Sequence, residues 1–530
     1  MTVAASPLPS PAGGARDDVR LDHRADVTDL LWATAARRPA APAVTDPDGR
    51  WSYADLAAAA ESCAAWLAGL GVRPGDRVVG RVGNVREFLA LLFGTLRRGA
   101  VFVPVNPEVR PYLLRGVLAD AEPRLVVSVD ADLPSVAALT PVPVRPLTEL
   151  RRVVAGGPAA PSAAGPSGAD DPDRIALLIY TSGSTAAPKA VVSPHRTVLF
   201  ATRAVGARLA YRSDDVVLVA VPLAFDYGLY QIFLALAAGA HLVLADPALH
   251  VRLVTTIAQH GVSVVPVVPS LAETLVRLAD RHVRRHGAAP PVRLFTNTGA
   301  ALTPGHAAGL RRAFPGAAVV PMFGTTECKR ITIAEPDGDL TRPGSVGRAL
   351  DGTEVLVLDD DGHPLPAGHT GEIVVRGPHV MAGYWRAPEL TARRFRPDPV
   401  TGTVTLHTGD YGRLDSDGHL YFEGRRDDLF KRRGLRVSAL EIEAAACDVP
   451  GVTAAAVLPP ADGRDAELAV VGTVPADEVL HELAGRLEDG KVPPVCHVLR
   501  ELPLTANGKT DKRRLAELIR RPAPEGEKTR

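Results

Sequence analysis

The chain has 530 residues, 46% of them apolar, and its 60 basic side chains balance 60 acidic ones. A chain of this length exceeds one ordinary domain. Its balanced charge, with no long basic run, excludes the electrostatic footprint of a nucleic-acid or acidic-membrane ligand, so small molecules or proteins are the expected partners. The four cysteines form no CxxC pair, which argues against a disulfide framework or zinc site and favours a reducing, cytoplasmic location.

Residues 1–20 are rich in Pro, Ala and Gly and lack the apolar core of a signal peptide, so we expect a disordered lead-in. Short apolar runs then alternate with helical patterns, which predicts an α/β fold of stacked, mostly parallel sheets covered by helices. The predicted strands are DRVVGRV, AVFVPV, RLVVSV, IALLIYTS, DVVLVAVPL, HLVLAD, VSVVPVVP, VRLFTNTG and AVVPMFG. Residues 155–173 are a flexible loop by composition.

One apolar stretch, residues 227–245, is long enough to raise the question of a membrane span. It contains Gln231 and His241, and Gly239 divides it into a helical and a β-like half. These residues favour a buried helix that leads into a buried strand.

The pattern changes after about Arg342, where Asp, Gly and Pro turns separate short strands in a hairpin-rich region. A last segment begins near Arg425 and carries two amphipathic helices and short strands. This composition predicts a small α+β domain at the carboxyl-terminal end.

A loop rich in hydroxyl groups follows one predicted strand, with the sequence YTSGSTAAPKAVV from Tyr180. Gly183 and Pro188 prevent a regular helix there. Backbone N–H groups, the nearby hydroxyls and the Lys189 ammonium would form a nest for a polyphosphate. It is not a Walker A loop, because the GK[ST] ending is missing. On these residues alone, a solvated Ser/Thr turn stays open.

The stretch PMFGTTECKR places a second set of polar residues after a predicted strand. Phe323 offers an aromatic face for a base, and Gly324 permits close backbone approach. Thr325 and Thr326 offer hydroxyls for phosphate, and Glu327 offers a carboxylate for Mg²⁺.

Three further residues carry suitable chemistry. Asp410 can accept hydrogen bonds from two ribose hydroxyls, and Arg425 can donate to ribose or phosphate. Near the carboxyl-terminal end, Lys509 lies in an Asn-Gly turn, which presents an ammonium group at a hairpin tip.

Together these motifs resemble the adenylate-forming superfamily of acyl- and aryl-CoA synthetases, amino-acid adenylation domains and firefly-type luciferases. The resemblance extends from about residue 27 to residue 518, through WSYADL, LGVRPGDRVV, GAVFVPVNP, YTSGSTAAPK, PLAFDYGLYQIFLALAAGA, FTNTGAALT, FGTTE, RPGSVGRAL, HTGD, GRRDDLFKRRGLRVSALEIE and PLTANGK. It implies a large domain at 21–424 that includes a distorted β-barrel region, a hinge at 425–430, and a small mobile α+β domain at 431–530.

The resemblance also implies a binding site for ATP and Mg²⁺. The residues that would bind phosphate are Thr181, Ser182, Gly183, Ser184, Thr185 and Lys189. The residues that would bind the rest of the nucleotide are Phe323, Gly324, Thr325, Thr298, Gly299, Ala300, Ala301, Asp410 and Arg425. Thr326 would contact phosphate and Glu327 would bind Mg²⁺. Lys509 would neutralise the α-phosphate while a substrate oxyanion attacks it.

In this family the small domain turns after adenylation and presents a different face to the same site. Asp427 takes the hinge position. The motion would bring Gly434 and Leu435 into the acceptor tunnel for the second half-reaction.

The sequence departs from the family pattern at several positions. Ala186 and Ala190 replace usual glycines of the phosphate loop, which restricts the backbone. Phe225 stands where many CoA ligases read PLFH, and with Tyr230 it would line the substrate pocket. Asp226 resembles the FD version of amino-acid adenylation domains, where it would hold a substrate ammonium, but it is also suited to cap a helix.

Two cations, Lys329 and Arg330, follow the predicted metal ligand. They would orient an anionic substrate or pair with acidic neighbours, and both interpretations stay open. Cys328 lies between Glu327 and Lys329, and the family mechanism does not require it as a nucleophile.

The expected function is ATP- and Mg²⁺-dependent adenylation of a small aryl or acyl acid with release of pyrophosphate. The acyl group would pass to a thiol of coenzyme A or of a carrier-protein phosphopantetheine. One alternative is a diazotase that adenylates nitrite for attack by an aromatic amine, and another is an amino-acid adenylating enzyme. A catalytically dead nucleotide-binding protein is the alternative from a different class. A monomer or dimer is expected.

Overall fold

A computed structural model describes residues 26–157, 171, 173–181, 188–246, 250–398, 402–425, 429–432, 435–461, 464–487, 490–505 and 510–520. The helices are α1 (Asp29–Arg37), α2 (Tyr53–Gly69), α3 (Arg86–Arg97), α4 (Pro111–Ala121), α5 (Leu133–Ala137), α6 (Leu147–Ala155), α7 (His195–Leu209), α8 (Asp226–Ala238), α9 (Leu253–His260), α10 (Pro269–His286), α11 (Pro304–Ala313), α12 (Gly338–Thr341), α13 (Pro388–Arg394), α14 (Ala439–Cys447), α15 (Ala476–Ala484) and α16 (Lys512–Arg520).

The strands are β1 (Pro42–Asp46), β2 (Gly49–Ser52), β3 (Arg77–Arg81), β4 (Val101–Pro104), β5 (Leu125–Ser128), β6 (Val144–Pro146), β7 (Ile175–Thr181), β8 (Lys189–Pro194), β9 (Val216–Val219), β10 (His241–Leu244), β11 (Val264–Val267), β12 (Leu294–Asn297), β13 (Ala318–Phe323), β14 (Thr332–Ile333), β15 (Ser345–Ala349), β16 (Glu354–Leu358), β17 (Gly371–Arg376), β18 (Phe395–Pro397), β19 (Val404–Leu414), β20 (His419–Arg425), β21 (Leu429–Arg432), β22 (Leu435–Ser438), β23 (Val452–Leu458), β24 (Glu467–Gly472) and β25 (Val495–Leu499).

Two large sheets confirm the predicted α/β fold. The first has six strands in the order β6-β5-β3-β4-β7-β8, and its neighbours are parallel except for the antiparallel β7–β8 pair. The second has 14 strands and is parallel from β1 through β10, β9, β11 and β12 to β13. All nine strands named in the sequence analysis are present, each within one of these parallel runs.

The hairpin-rich region extends the second sheet. β14 pairs antiparallel with β13, and the order continues β15-β20-β19-β17-β16 with β18 beside β19. Among the described strands this path stays open and no closed barrel forms, because each hairpin adds to the sheet edge and β16 and β2 end the order without pairing to each other.

One apolar core joins the two sheets. It contains Phe88 of α3 and Phe102 of β4, whose rings meet edge to face at 5.3 Å, together with Phe233 of α8 and Phe295 of β12. Because residues from both sheets belong to one buried cluster, the sheets are fixed against each other by hydrophobic burial.

The apolar stretch at 227–245 is the buried helix and strand that the sequence predicts. α8 ends before Gly239, which has φ of 72° and caps the helix in the left-handed region where glycine is favoured. His241 begins β10, and its ring nitrogen lies 2.8 Å from the Thr45 hydroxyl. In the described part of the chain, no helix is both long and apolar enough to cross a membrane.

The carboxyl-terminal segment has a core of its own. β23 pairs antiparallel with β24, β24 pairs parallel with β25, and buried residues of α14 and α15 pack with this sheet. Its mixed composition agrees with the predicted α+β character. Most of the predicted flexible loop at 155–173 lies outside the described residues.

His379 is fully buried, yet neither of its ring nitrogens has a hydrogen-bond partner among the described residues. Its ring lies 6.2 Å from that of Phe200. Burial disfavours the charged imidazolium and lowers the pKa of His379 from 6.5 to about 4.

This burial predicts an acid-sensitive fold. An unfolded chain binds a proton at His379 near pH 6.5 and the folded chain does so near pH 4, so stability is retained above pH 6.5 and lost as the pH falls between these values. His379 should lower the free energy of unfolding by up to about 3 kcal/mol over that window. His379→Phe, measured by urea unfolding at pH 7 and pH 5, should lose less stability on acidification than the wild type. The same change at exposed His369 should leave the pH dependence unaltered; equal acid sensitivity of both variants and the wild type would contradict the prediction.

Candidate active site

Two loops start side by side at the carboxyl edge of the second sheet. β12 and β13 are parallel neighbours with Asn297 opposite Pro321, so the loops at 298–301 and 324–330 leave the same edge. In open α/β sheets, ligands bind at this edge. The Asn297 side chain, which the sequence analysis did not single out, donates to the carbonyls of Ala300 and Val267 at 3.0 and 3.1 Å and fixes the first loop.

The predicted nucleotide segment at 298–301 follows directly. Thr298 is buried, and Gly299 has φ of 85°, which a side chain would strain. Ala300 is half-buried and Ala301 is exposed.

The second loop folds tightly back on itself. The Thr325 carbonyl accepts from the backbone N–H groups of Cys328 and Lys329 at 3.2 and 2.7 Å, and Lys329 adopts φ of 65°. A Cβ atom on Gly324 would lie 2.0 Å from the Lys329 carbonyl oxygen, so this position requires glycine. Burial raises the pKa of the Cys328 thiol to about 12, which leaves it protonated and unsuited to act as a nucleophile.

Glu327 projects from this turn and is held at two points. Its carboxylate Oε1 accepts from the Tyr384 hydroxyl at 2.6 Å, and its backbone carbonyl accepts from Met381 N at 2.9 Å. Burial first, and then the Glu327 charge, raise the pKa of Tyr384, which keeps the hydroxyl a donor. A carboxylate beside the hydroxyl-bearing Thr325 and Thr326 is the oxygen donor set that Mg²⁺ prefers, so these residues fit the metal that the sequence implies.

The phosphate-loop residues are described only at its ends. Thr181 and Lys189 lie opposite each other on the antiparallel strands β7 and β8. The preceding Tyr180 donates its hydroxyl to Asp120 Oδ2 at 2.6 Å, a contact that no local pattern indicates. Seven predicted residues lie outside the described part of the chain: Ser182, Gly183, Ser184, Thr185, Asp427, Gly434 and Lys509. For an eighth, Leu435, only the backbone is described.

The predicted ribose pair comes together. Asp410 and Arg425 are direct partners on β19 and β20, and Arg425 Nε lies 3.3 Å from Asp410 Oδ1. Asp410 is only 3% exposed, whereas the Arg425 side chain is largely exposed. The Phe323 ring stacks on Phe422 at 4.7 Å and is 9% exposed, so the aromatic face predicted for adenine is mostly covered.

Asp226 occupies the first turn of α8. The N-cap is Phe225, with no side-chain cap hydrogen bond, and Asp226 is the first helical residue. The helix-cap alternative for Asp226 is therefore wrong. Its Oδ2 instead lies 3.4 Å from Arg330 Nη1.

The two cations of the TTECKR motif lie on tyrosine rings. Lys329 is 0% exposed, with Nζ 5.5 Å from the Tyr230 ring centre, and Arg330 lies 5.1 Å from that of Tyr227. Lys329 Nζ, Arg330 Nε and the Tyr230 hydroxyl have no hydrogen-bond partner in the described part of the chain. Burial lowers the pKa of Lys329 to about 8, although the charges of Asp226 and Glu327 oppose this shift. Two buried cations thus lie near two carboxylates, and Asp226 is in direct contact with one of them, Arg330.

Residues 31–385 match the model of the AMP-binding enzyme family. The chain belongs to this family, and the fold and the order of its loops agree with that membership.

Three similar proteins bear on the site. The crystal structure of VinN is 44% identical, with a TM-score of 0.69, and the match covers 76% of this chain and 100% of that one. A second VinN structure, a complex with L-aspartate, is 43% identical, covers 76% and 98%, and has a TM-score of 0.68. ATP-bound MatB from Rhodopseudomonas palustris is 29% identical over 93% and 98% of the two chains, with a TM-score of 0.81. Sulfoacetate–CoA ligase from Cupriavidus necator is 33% identical over 93% of this chain and 95% of its own length.

Several other curated relatives are much longer. The chain spans 6% of the peptide synthetase CymA from Salinispora arenicola and 46% of the tripeptide synthetase PhsC from Streptomyces viridochromogenes. In these proteins the similar region is one part of a larger chain.

The tight turn at 324–330 predicts that Gly324→Ala disrupts the site. The added methyl group would overlap the Lys329 carbonyl oxygen, and relief of such a clash typically costs about 1–3 kcal/mol. Thermal unfolding should occur at a lower temperature, and substrate-dependent pyrophosphate release should be lost.

Gly305→Ala is the matched control, because its Cβ would lie 3.7 Å from the nearest atom, within α11. It should be neutral or stabilising by up to about 1 kcal/mol. Equal behaviour of the two variants would contradict the proposed requirement for glycine at position 324.

Proposed function

We propose that the chain adenylates a small acid that carries two carboxylates and an ammonium group, with ATP and Mg²⁺, and releases pyrophosphate. The acyl group then passes to a thiol, either of coenzyme A or of a carrier-protein phosphopantetheine. The observation that carries the substrate class is the buried ammonium of Lys329, which has no hydrogen-bond partner among the described residues.

Charge balance supports this class of substrate. A buried cation lowers the stability of the fold unless a partner neutralises it. Of the two cations Lys329 and Arg330, Arg330 is in direct contact with the Asp226 carboxylate. A ligand carboxylate between Lys329 and Arg330 would complete the pairing. The second carboxylate would then face the α-phosphate, and Asp226 would hold the ammonium group.

The relatives support the same chemistry. L-aspartate, which is bound in one VinN structure, has two carboxylates and one ammonium group. Sulfoacetate, the acid in the name of the Cupriavidus necator ligase, has a second anionic group beside its carboxylate. The amino-acid alternative from the sequence is therefore favoured over an aryl or simple acyl acid.

The nucleotide roles stay as the sequence implies them. Glu327 would hold Mg²⁺, which would spread the charge of the leaving pyrophosphate. Lys189 would contact phosphate, and Asp410 would accept hydrogen bonds from ribose. Lys509, from a small domain at 431–530 that turns on the 425–430 hinge, would stabilise the charge at the α-phosphate during attack.

The first test is pyrophosphate release from ATP and Mg²⁺ across a substrate panel. L-aspartate should support release at least about tenfold better than L-alanine, because the alanine side chain leaves the buried Lys329 unpaired. Benzoate, a fatty acid and nitrite with an aromatic amine complete the panel. Coenzyme A and a carrier protein are compared as acceptors with the best acid.

Lys509→Ala should abolish release, whereas Lys512→Ala, three residues away, should retain it. Release with nitrite alone, or with nitrite and an amine, would overturn the substrate class and leave the nucleotide site intact. Full activity of Lys509→Ala would overturn the role of that lysine.

The pKa of Lys329 predicts a pH-dependent affinity for the acid. Lys329 loses its charge as the pH rises through about 8, so the KM for L-aspartate should rise between pH 7 and pH 9 while the KM for ATP stays nearly constant. Lys329→Met should raise the KM for L-aspartate by about 10- to 100-fold at pH 7, through loss of a charged hydrogen bond.

Lys329→Arg is the control, because arginine stays charged over this range. Its KM for L-aspartate should depend less on pH than that of the wild type. A wild-type profile that stays flat, or one that Lys329→Arg leaves unchanged, would show that another group causes the dependence.

A further inference from the structure

Residues 380–385, which we call the bridging segment, contact the predicted metal ligand with both backbone and side chain. Met381 N donates to the Glu327 carbonyl at 2.9 Å, and the Tyr384 hydroxyl donates to Glu327 Oε1 at 2.6 Å. The second distance is typical of a hydroxyl bound to an ionised carboxylate. One short stretch of chain therefore fixes both ends of the Glu327 residue.

The same segment pairs with the strand that leaves the phosphate loop. Ala382 N donates to the Val192 carbonyl at 3.0 Å, and Val192 N donates to the Gly383 carbonyl at 2.9 Å. Trp385 N donates to the Ala190 carbonyl at 2.9 Å. The bridging segment thus connects Glu327 to β8, whose first residue is Lys189.

The Tyr384 ring is itself held in place. Its backbone N–H donates to Thr391 Oγ1 at 3.0 Å, and its ring meets Phe395 edge to face at 5.5 Å. Gly383 has φ of 107°, and a Cβ atom there would lie 2.4 Å from Thr391 Cγ2, so the backbone before Tyr384 has little freedom. A donor fixed in this way can hold a flexible glutamate in one rotamer.

We propose that Tyr384 is a positioning residue, which orients the Glu327 carboxylate for Mg²⁺ and links it to β8 through the bridging segment. This role rests on the proposed function, since it requires that Glu327 holds the metal. A carboxylate that is already ordered loses less conformational entropy when the ion binds. Partners that orient a metal ligand typically contribute 10- to 100-fold to metal affinity.

A merely structural role for Tyr384 makes a different prediction. Packing on Phe395 and the backbone pairing need the ring and the main chain, whereas orientation of Glu327 needs the hydroxyl. Tyr384→Phe keeps the ring and removes the hydroxyl. The matched control is Tyr421→Phe, which removes a hydroxyl that donates to Asp415 at 3.3 Å. Asp415 lies in the turn between β19 and β20.

The experiment measures ATP binding by calorimetry with and without Mg²⁺, in the absence of any acid, so that no turnover occurs. The readout is the factor by which Mg²⁺ tightens ATP binding. In Tyr384→Phe this factor should fall about tenfold, with metal-free ATP affinity and unfolding temperature close to wild type. Tyr421→Phe should keep the full factor, and Glu327→Gln should lose it.

The outcomes distinguish the positioning role of Tyr384 from the metal-binding role of Glu327. If Glu327→Gln loses the Mg²⁺ effect and Tyr384→Phe keeps it, the positioning role is wrong and the metal site stands. If Glu327→Gln keeps the effect, or if wild type shows none, Glu327 does not hold the metal and both ideas fail. A lower unfolding temperature of Tyr384→Phe with an unchanged Mg²⁺ effect would assign the hydroxyl to stability alone.

Discussion

The backbone hydrogen bonds between β8 and residues 382–385 are the contact on which the arrangement of the site depends. They join the edge of the six-stranded sheet to the segment that holds Glu327. The hydrophobic core holds the two sheets together, but hydrophobic burial is not directional. Paired N–H and C=O groups have preferred distances and angles, so they fix the position of one backbone segment relative to the other. Groups that are far apart in sequence, Lys189 and Glu327, thereby acquire a defined connection.

A second constraint is that a charge buried in the fold needs a partner. Arg293 is half-buried and forms a direct ion pair with buried Asp215, which Ser263 contacts as well, so its charge is neutralised within the fold. Lys329 is more deeply buried, and its ammonium has no such partner among the described residues. A buried ammonium group without a hydrogen-bond partner destabilises the fold unless a ligand supplies that partner. This contrast supports the proposal that a ligand pairs with Lys329, which the residue types alone would not separate from an internal salt bridge.

The sequence predicts the parallel strands and the break at Gly239 because hydrophobic periodicity and glycine chemistry are local signals. It also predicts the Asp410–Arg425 pair, since both residues lie in recognisable motifs. It does not predict that Phe422 covers Phe323, that Phe225 rather than Asp226 takes the cap, or that Tyr384 contacts Glu327. Those features depend on packing between distant parts of the chain, for which no spacing rule exists.

The turn at 324–330 carries both Glu327, the predicted metal ligand, and Lys329, the proposed contact for the substrate carboxylate. Its closure on the Thr325 carbonyl fixes Glu327 against Tyr384 and, two residues later, fixes Lys329 over Tyr230. The predicted metal ligand and the proposed specificity residue therefore share one backbone turn, which has no room for a side chain at Gly324. Under the proposed roles, substitutions of the α8 side chains that contact the turn, Asp226 and Tyr230, would change the substrate preference and leave Glu327 in place. A change in the backbone of the turn itself would alter both functions together.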